Sequence, residues 1–101
     1  MTDPATERMM QLQTRLRIRL AELGFEGVPA SNVVHRLAEI AVLAKDLADN
    51  ALPLLLEVSP DHDAALLGIL VSIKRDMDEM RDAITDVEPD YTALLEKLGA
   101  R

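Results

Sequence analysis

Apolar residues recur along most of the chain at spacings of three and four, which is the period of an α-helix. The first series starts after Asp3-Pro4, a capping residue followed by proline, and stops at Gly24. The second starts after Ser31 and Asn32, either of which can cap a helix. We therefore expect helices over residues 4–23 and 32–57. The two series are Ala5, Met9, Leu12, Leu16, Leu20 and Leu23, and then Val33, Leu37, Ile40, Ala44, Leu47, Ala51, Leu54 and Val58.

A third series follows Ser59-Pro60 and predicts a helix over residues 60–87, with Ser59 as its cap. Pro89 interrupts the pattern, and the residues after it predict a short amphipathic helix over 89–98. The third series consists of Leu66, Leu70, Ile73, Met77, Met80, Ile84 and Val87, and the fourth helix carries Tyr91, Leu94, Leu95 and Leu98.

Two features lie near the corner between the second and third helices. Pro53 has no N–H to donate, so the second helix either kinks or loosens there, and the register that continues to Val58 favours a kinked final turn. The triplet Asp61-His62-Asp63 resembles a metal site, but adjacent residues on a helix point about 100° apart and cannot converge on one ion. We expect its acidic residues to occupy the first turn of the third helix, where the helix dipole favours them.

Two long helices joined by a short corner must lie antiparallel. The predicted fold is therefore all-α: a single domain over residues 1–101, in which an antiparallel hairpin carries an N-terminal helix and a short C-terminal helix. The stripe of the second helix is broad and includes the small residues Ala41, Ala44, Ala48 and Ala51, which let another helix approach closely. Because one hairpin cannot cover such stripes, we expect a homodimer or larger homo-oligomer.

Composition narrows the class of protein. Hydrophobic residues make up 49% of the chain, which supports a folded core, and the only aromatic residues are Phe25 and Tyr91. The lack of cysteine excludes disulfides and thiolate zinc sites. A net charge of −7 disfavours direct binding to nucleic acid. We also expect no membrane span, because the longest uncharged run is too short, and a cytoplasmic location.

Candidate chemistry is sparse. The pairs Glu79/Asp82 and Asp46/Asp49 resemble the carboxylate pairs of all-helical, magnesium-dependent nucleotide pyrophosphatases, but the Glu-x-x-Glu half of that pattern is missing. His35 and Glu39 stand four residues apart, and we expect an exposed helical ion pair there rather than a metal site. With no nucleophile grouping and no phosphate-binding glycine loop, we expect no enzyme and no cofactor. A carboxylate–metal enzyme is the less favoured alternative.

Residues that depart from the apolar pattern are the best candidates for binding. Three arginines flank the stripe of the first helix, two apolar residues lie off that stripe, and two more lie on the outward side of the second helix. The sequence thus predicts a protein-binding module (an adaptor, inhibitor or assembly factor), with an acidic mimic that inhibits a nucleic-acid-binding protein as the alternative. These candidates are Arg8, Arg15 and Arg19, then Met10 and Ile18, and finally Val42 and Leu56.

Overall fold

Helices account for nearly all of the chain in the computed structural model, which describes residues 3–100. Within that range there is no strand, so the prediction of an all-α fold is confirmed. No helix in this range is both long enough and apolar enough to cross a membrane. The elements are α1 (Pro4–Glu22), α2 (Val28–Asp46), a π-helical turn (Leu47–Ala51), α3 (Leu52–Glu57) and α4 (Asp63–Gly99).

The local sequence sets both ends of α1. The carboxylate of Asp3 accepts a hydrogen bond from the Thr6 N–H at 3.3 Å, and Pro4 occupies the first helical position. At the other end the Phe25 N–H bonds to the Leu20 carbonyl at 2.8 Å, and Gly24 takes a φ of 91°. This is the Schellman ending that the glycine predicts.

The second helix begins at Val28, four residues earlier than predicted. Gly27 precedes it with a φ of 94°, and Pro29 lies within the first turn, where a missing N–H costs nothing. Asn32 lies inside the helix and does not cap it; its side-chain amide instead donates to the Asp90 carboxylate at 2.6 Å. This contact joins residues 58 positions apart, so no local pattern could reveal it.

A π-helical turn accommodates Pro53. The Leu52 N–H bonds to the carbonyl of Leu47, five residues back, and helical structure then continues to Glu57. In a regular α-helix the carbonyl of Asp49 would accept a hydrogen bond from residue 53, but Pro53 has no N–H to donate. The wider π-helical turn just before the proline relaxes the backbone around this missing bond. Helical structure therefore reaches residue 57, as predicted, and the irregularity just before Pro53 is a π-helical turn.

The prediction that the third helix starts at Ser59-Pro60 is wrong. Residues 59–62 form a turn in which the His62 N–H bonds to the Ser59 carbonyl at 3.1 Å, and α4 starts at Asp63. Asp63 alone of the acidic triplet lies in the first helical turn, while Asp61 and His62 are exposed in the corner.

The prediction of a separate C-terminal helix is also wrong, because α4 is a single helix of 37 residues with Pro89 inside it. Contacts with α2 hold the chain helical on both sides of the proline. Val87 is buried, Asp86 is bonded to Arg36 at 2.7 Å, and Asp90 is bonded to Asn32. Pro89 itself is exposed. Tertiary packing thus outweighs the cost of one missing helical hydrogen bond.

The helices form a thin assembly in which α2 packs against both α1 and α4. Among residues 3–100 the buried apolar side chains are all alanine or valine, and every leucine, isoleucine and methionine keeps part of its surface in solvent. The radius of gyration is 17.1 Å, against about 13 Å for a compact domain of this length. The buried apolar residues are Ala30, Val33, Val34, Ala38, Ala51, Ala83 and Val87.

Candidate protein-binding surfaces

Two apolar rows run along α4, each with a spacing of seven residues, and only one of them is covered. The inner row faces the other helices and is buried or half-buried. The outer row, here called the seam, keeps 44–52% of each side chain exposed over the whole length of the helix. The inner row is Leu66, Ile73, Met80, Val87 and Leu94; the seam is Leu70, Met77, Ile84, Tyr91 and Leu98.

An exposed face of α2 lies beside the seam. Asn32 and Arg36 contact Asp86, so residues about 100° further round α2 from Arg36 lie on the seam side of the α2–α4 contact. These residues are small or apolar, and all are exposed. Together with the seam they form one apolar face. They are Leu37, Ala41, Ala44 and Ala48.

The opposite side of the α2–α4 contact is polar. Arg36 donates to Glu39 at 2.9 Å and to Asp86 at 2.7 Å, and these contacts raise the pKa of Arg36. The hydrogen bond from Arg36, followed by that from Asn32, lowers the pKa of Asp86. The expected ion pair between His35 and Glu39 does not form, because Glu39 pairs with Arg36 and His35 contacts the Gln13 amide of α1 at 3.0 Å.

A pair of aspartates lies further along the same contact. Asp76 of α4 is only 7% exposed, and one of its carboxylate oxygens has no hydrogen-bond partner. Burial, together with the hydrogen bond to Asp46, raises the pKa of Asp76. The pKa of Asp46 is lowered, because Asn50 donates a hydrogen bond to it at 2.8 Å and the side chain of Asp76 also interacts with it.

The outer side of α1 carries four of the seven sequence candidates. Met10 and Ile18 are each 56% exposed, and Arg15 and Arg19 are exposed beside Ile18. Arg19 forms a salt bridge with Glu22 at 3.1 Å. Within residues 3–100 neither Arg8 nor Arg15 lies within ion-pair distance of a carboxylate.

The remaining candidates lie elsewhere. Arg8 and Val42 meet in a cleft of about 140 Å³ between the start of α1 and the end of α2, so Val42 does not face outward as predicted. Asp46 and Asp49 line the same cleft. Leu56, on the short α3, is 87% exposed. The structure thus groups Met10, Arg15, Ile18 and Arg19 on the outer side of α1, pairs Arg8 with Val42, and leaves Leu56 apart.

No group of three or more histidine, aspartate or glutamate side chains in residues 3–100 is placed to hold a metal ion. Asp46 contacts Asp76 rather than joining Asp49 in a ligand set. Glu79 and Asp82 are exposed on α4.

Sequence reasoning missed the seam because all of its members had been assigned to the buried stripe of a helix. The signal was present in the spacing, since the alternation of four and three continues without a break from Leu66 to Leu98, across Pro89. Two adjacent apolar rows over so many turns are typical of a helix that packs against two neighbours. Comparisons with family models, with curated proteins and with solved structures found no match to this chain.

Proposed function

We propose that this protein is a non-enzymatic binding module, a homodimer built on the antiparallel hairpin of α2 with α4, which acts by occupying the surface of another protein. The observation that carries the proposal is the amount of apolar surface left in solvent. Side chains of the kind that normally form a core are exposed along both α1 and α4. Contiguous apolar surface on this scale marks a site of protein–protein contact.

The outer side of α1 is the surface that we assign to the partner. Ile18 offers an apolar anchor, and Arg15 and Arg19 beside it suit an acidic rim on the partner. The acidic side chains on α4 are less suited to mimicry of nucleic acid. Asp78 is already bonded to Lys74 and Arg81, and Asp86 is bonded to Arg36.

The partner site can be tested by affinity purification from the native host with the wild-type chain and with an Arg15→Glu/Ile18→Asp variant. We expect the variant to bind the purified partner at least about tenfold more weakly, because it removes the apolar anchor and reverses a neighbouring charge. Both positions are exposed on the outer side of α1, so the helical content should not change.

A control for the charge reversal is Arg17→Glu, which makes the same substitution as Arg15→Glu on the side of α1 that borders the α1–α2 loop. It should retain the partner. Equal loss of binding in both variants would show that overall charge, and not this surface, controls capture. Retention of the partner by the double variant would exclude the outer side of α1.

A further inference from the structure

One side of the seam is bordered by a row of five residues, here called the edge. The charged and apolar side chains of the edge are placed symmetrically on either side of Arg81. Lys74 precedes Arg81 by seven residues and Glu88 follows it by seven; Leu67 precedes it by fourteen and Leu95 follows it by fourteen. All five residues are exposed. They occupy every seventh position beside the seam, so they lie along one side of α4.

We propose that a second copy of this chain covers the seam, with the two α4 helices antiparallel and related by a two-fold axis close to Arg81. This inference rests on the homodimer in the proposed function and is independent of the partner site on α1. It assigns Met77 to face Ile84 of the other copy and Leu70 to face Tyr91. Each seam residue would then pack against another apolar residue.

Charge complementarity selects this orientation. In the antiparallel pair the edges face each other, so that Lys74 of each copy meets Glu88 of the other, and Leu67 meets Leu95. In a parallel pair the two edges would lie on opposite sides of the interface, so Lys74 of one copy could not meet Glu88 of the other. Only Arg81 meets its own counterpart in the antiparallel pair, and Asp78, which bonds to Arg81, offsets that charge.

The surface area fits a second copy. The chain exposes 7161 Å², whereas a compact monomer of 11.1 kDa exposes about 5,700 Å². The excess is larger than the roughly 800 Å² that each partner contributes to a standard interface. A helix of 37 residues is about 55 Å long, so the seam offers an interface along most of the longest dimension of the chain, which is 59 Å.

The alanines of α2 make room for the second copy. Ala41, Ala44 and Ala48 lie beside the seam and project little from the helix, so a helix packed on the seam also rests on α2. The two copies would then form a four-helix layer from two α2–α4 pairs. A helix from an unrelated protein would bury the same apolar residues, but the symmetry about Arg81 benefits only a copy of α4.

A double-mutant cycle tests both the occupant and the orientation. By sedimentation equilibrium at about 100 µM we expect twice the chain mass of 11.1 kDa. Lys74→Glu and Glu88→Lys should each raise the dimer dissociation constant about tenfold, because each variant places two repulsive pairs in the dimer. The double variant restores opposite charges and should return to within about threefold of the wild type.

The cycle is specific for contact between copies, because positions 74 and 88 lie about 21 Å apart on the same helix and do not couple within one chain. Loss of the intrachain bond between Lys74 and Asp78 occurs in both variants that contain Lys74→Glu and therefore cancels. Effects that simply add would overturn the antiparallel register. A single-chain mass at this concentration, or a mass that grows continuously with concentration, would overturn the closed pair.

Cross-linking supplies an independent readout, because the chain contains no cysteine of its own. With a short bis-maleimide, Arg81→Cys should give covalent dimers in high yield, since position 81 lies at the proposed axis. Leu70→Cys is the matched control and should give few dimers, because its counterpart would lie about 30 Å away. The reverse result would indicate a parallel pair. If the Arg15→Glu/Ile18→Asp variant no longer captures the partner but still forms this dimer, the partner site on α1 and the α4 dimer are shown to be independent of each other.

Discussion

Among residues 3–100, Asp76 is the only charged side chain that the fold buries. A buried carboxylate is tolerated when it is protonated or paired, and here protonation serves both purposes because Asp76 can then donate to Asp46. Glu79 also raises the pKa of Asp76, while the nearby Arg75 opposes the shift. The sequence gives no sign of this pair, since Asp46 and Asp76 meet only after α2 and α4 have packed.

Replacing Asp76 with asparagine should stabilise the protein at pH 7, by about 1–3 kcal/mol, because the neutral amide can donate to Asp46 at any pH and carries no charge that burial penalises. Because the pKa of Asp76 is raised in the folded state, protonation of Asp76 stabilises the fold. This contribution to the free energy of unfolding is complete below the ordinary aspartate pKa and is lost as the pH rises through the raised value. The benefit of Asp76→Asn should therefore grow with pH. Urea unfolding at matched protein concentration and several pH values measures it.

Asp82→Asn is a suitable control for this prediction, because it makes the same change at an exposed position on the same helix. It should alter the free energy of unfolding by less than about 0.5 kcal/mol at any of these pH values. A benefit of Asp76→Asn that is equally large at low pH would show that packing, and not the charge, is responsible.

At the level of the helices, the sequence predicts ends that depend on neighbouring residues and fails where distant contacts decide. Both ends of α1 follow from Asp3, Pro4 and Gly24, which act within one turn. The continuation of α4 past Pro89 depends on bonds from Asn32 and Arg36, more than 45 residues away. Periodicity likewise identified the apolar residues of α4, but it could not tell which of its two rows the fold would cover.

Two glycines in different settings should respond in opposite ways to alanine. Gly24 ends α1 with a φ of 91°, a region unfavourable for residues with a Cβ, so Gly24→Ala should destabilise the protein by about 1–2 kcal/mol. Gly68 lies inside α4, and a methyl group there would meet nothing within 4 Å. Gly68→Ala should therefore stabilise the protein by about 0.5–1 kcal/mol.

Thermal and urea unfolding of the two glycine variants at one protein concentration would compare them directly. A gain in stability from Gly24→Ala would mean that the Schellman ending of α1 does not persist in solution. If Gly68→Ala does not increase the stability, a neighbour must lie against that exposed side of α4.

At the level of the whole molecule, the single chain leaves much of its apolar surface uncovered. Within residues 3–100 the buried apolar residues are alanines and valines, and many of the larger aliphatic side chains lie along faces that α2 and α4 leave open. Burial of apolar surface is the main force that opposes the loss of chain entropy. An 11.1 kDa chain with so little of it should depend on association for much of its stability.

This dependence predicts that the midpoint of thermal unfolding rises with protein concentration. When a folded dimer unfolds to two separate chains, each tenfold increase in concentration stabilises the dimer by about 1.4 kcal/mol. For two chains of 101 residues this corresponds to about 3–6 °C. Circular dichroism melts from about 1 to 100 µM measure the slope directly. A midpoint that does not move would mean that the single chain is stable with the seam exposed, and the seam would then be available to a different protein.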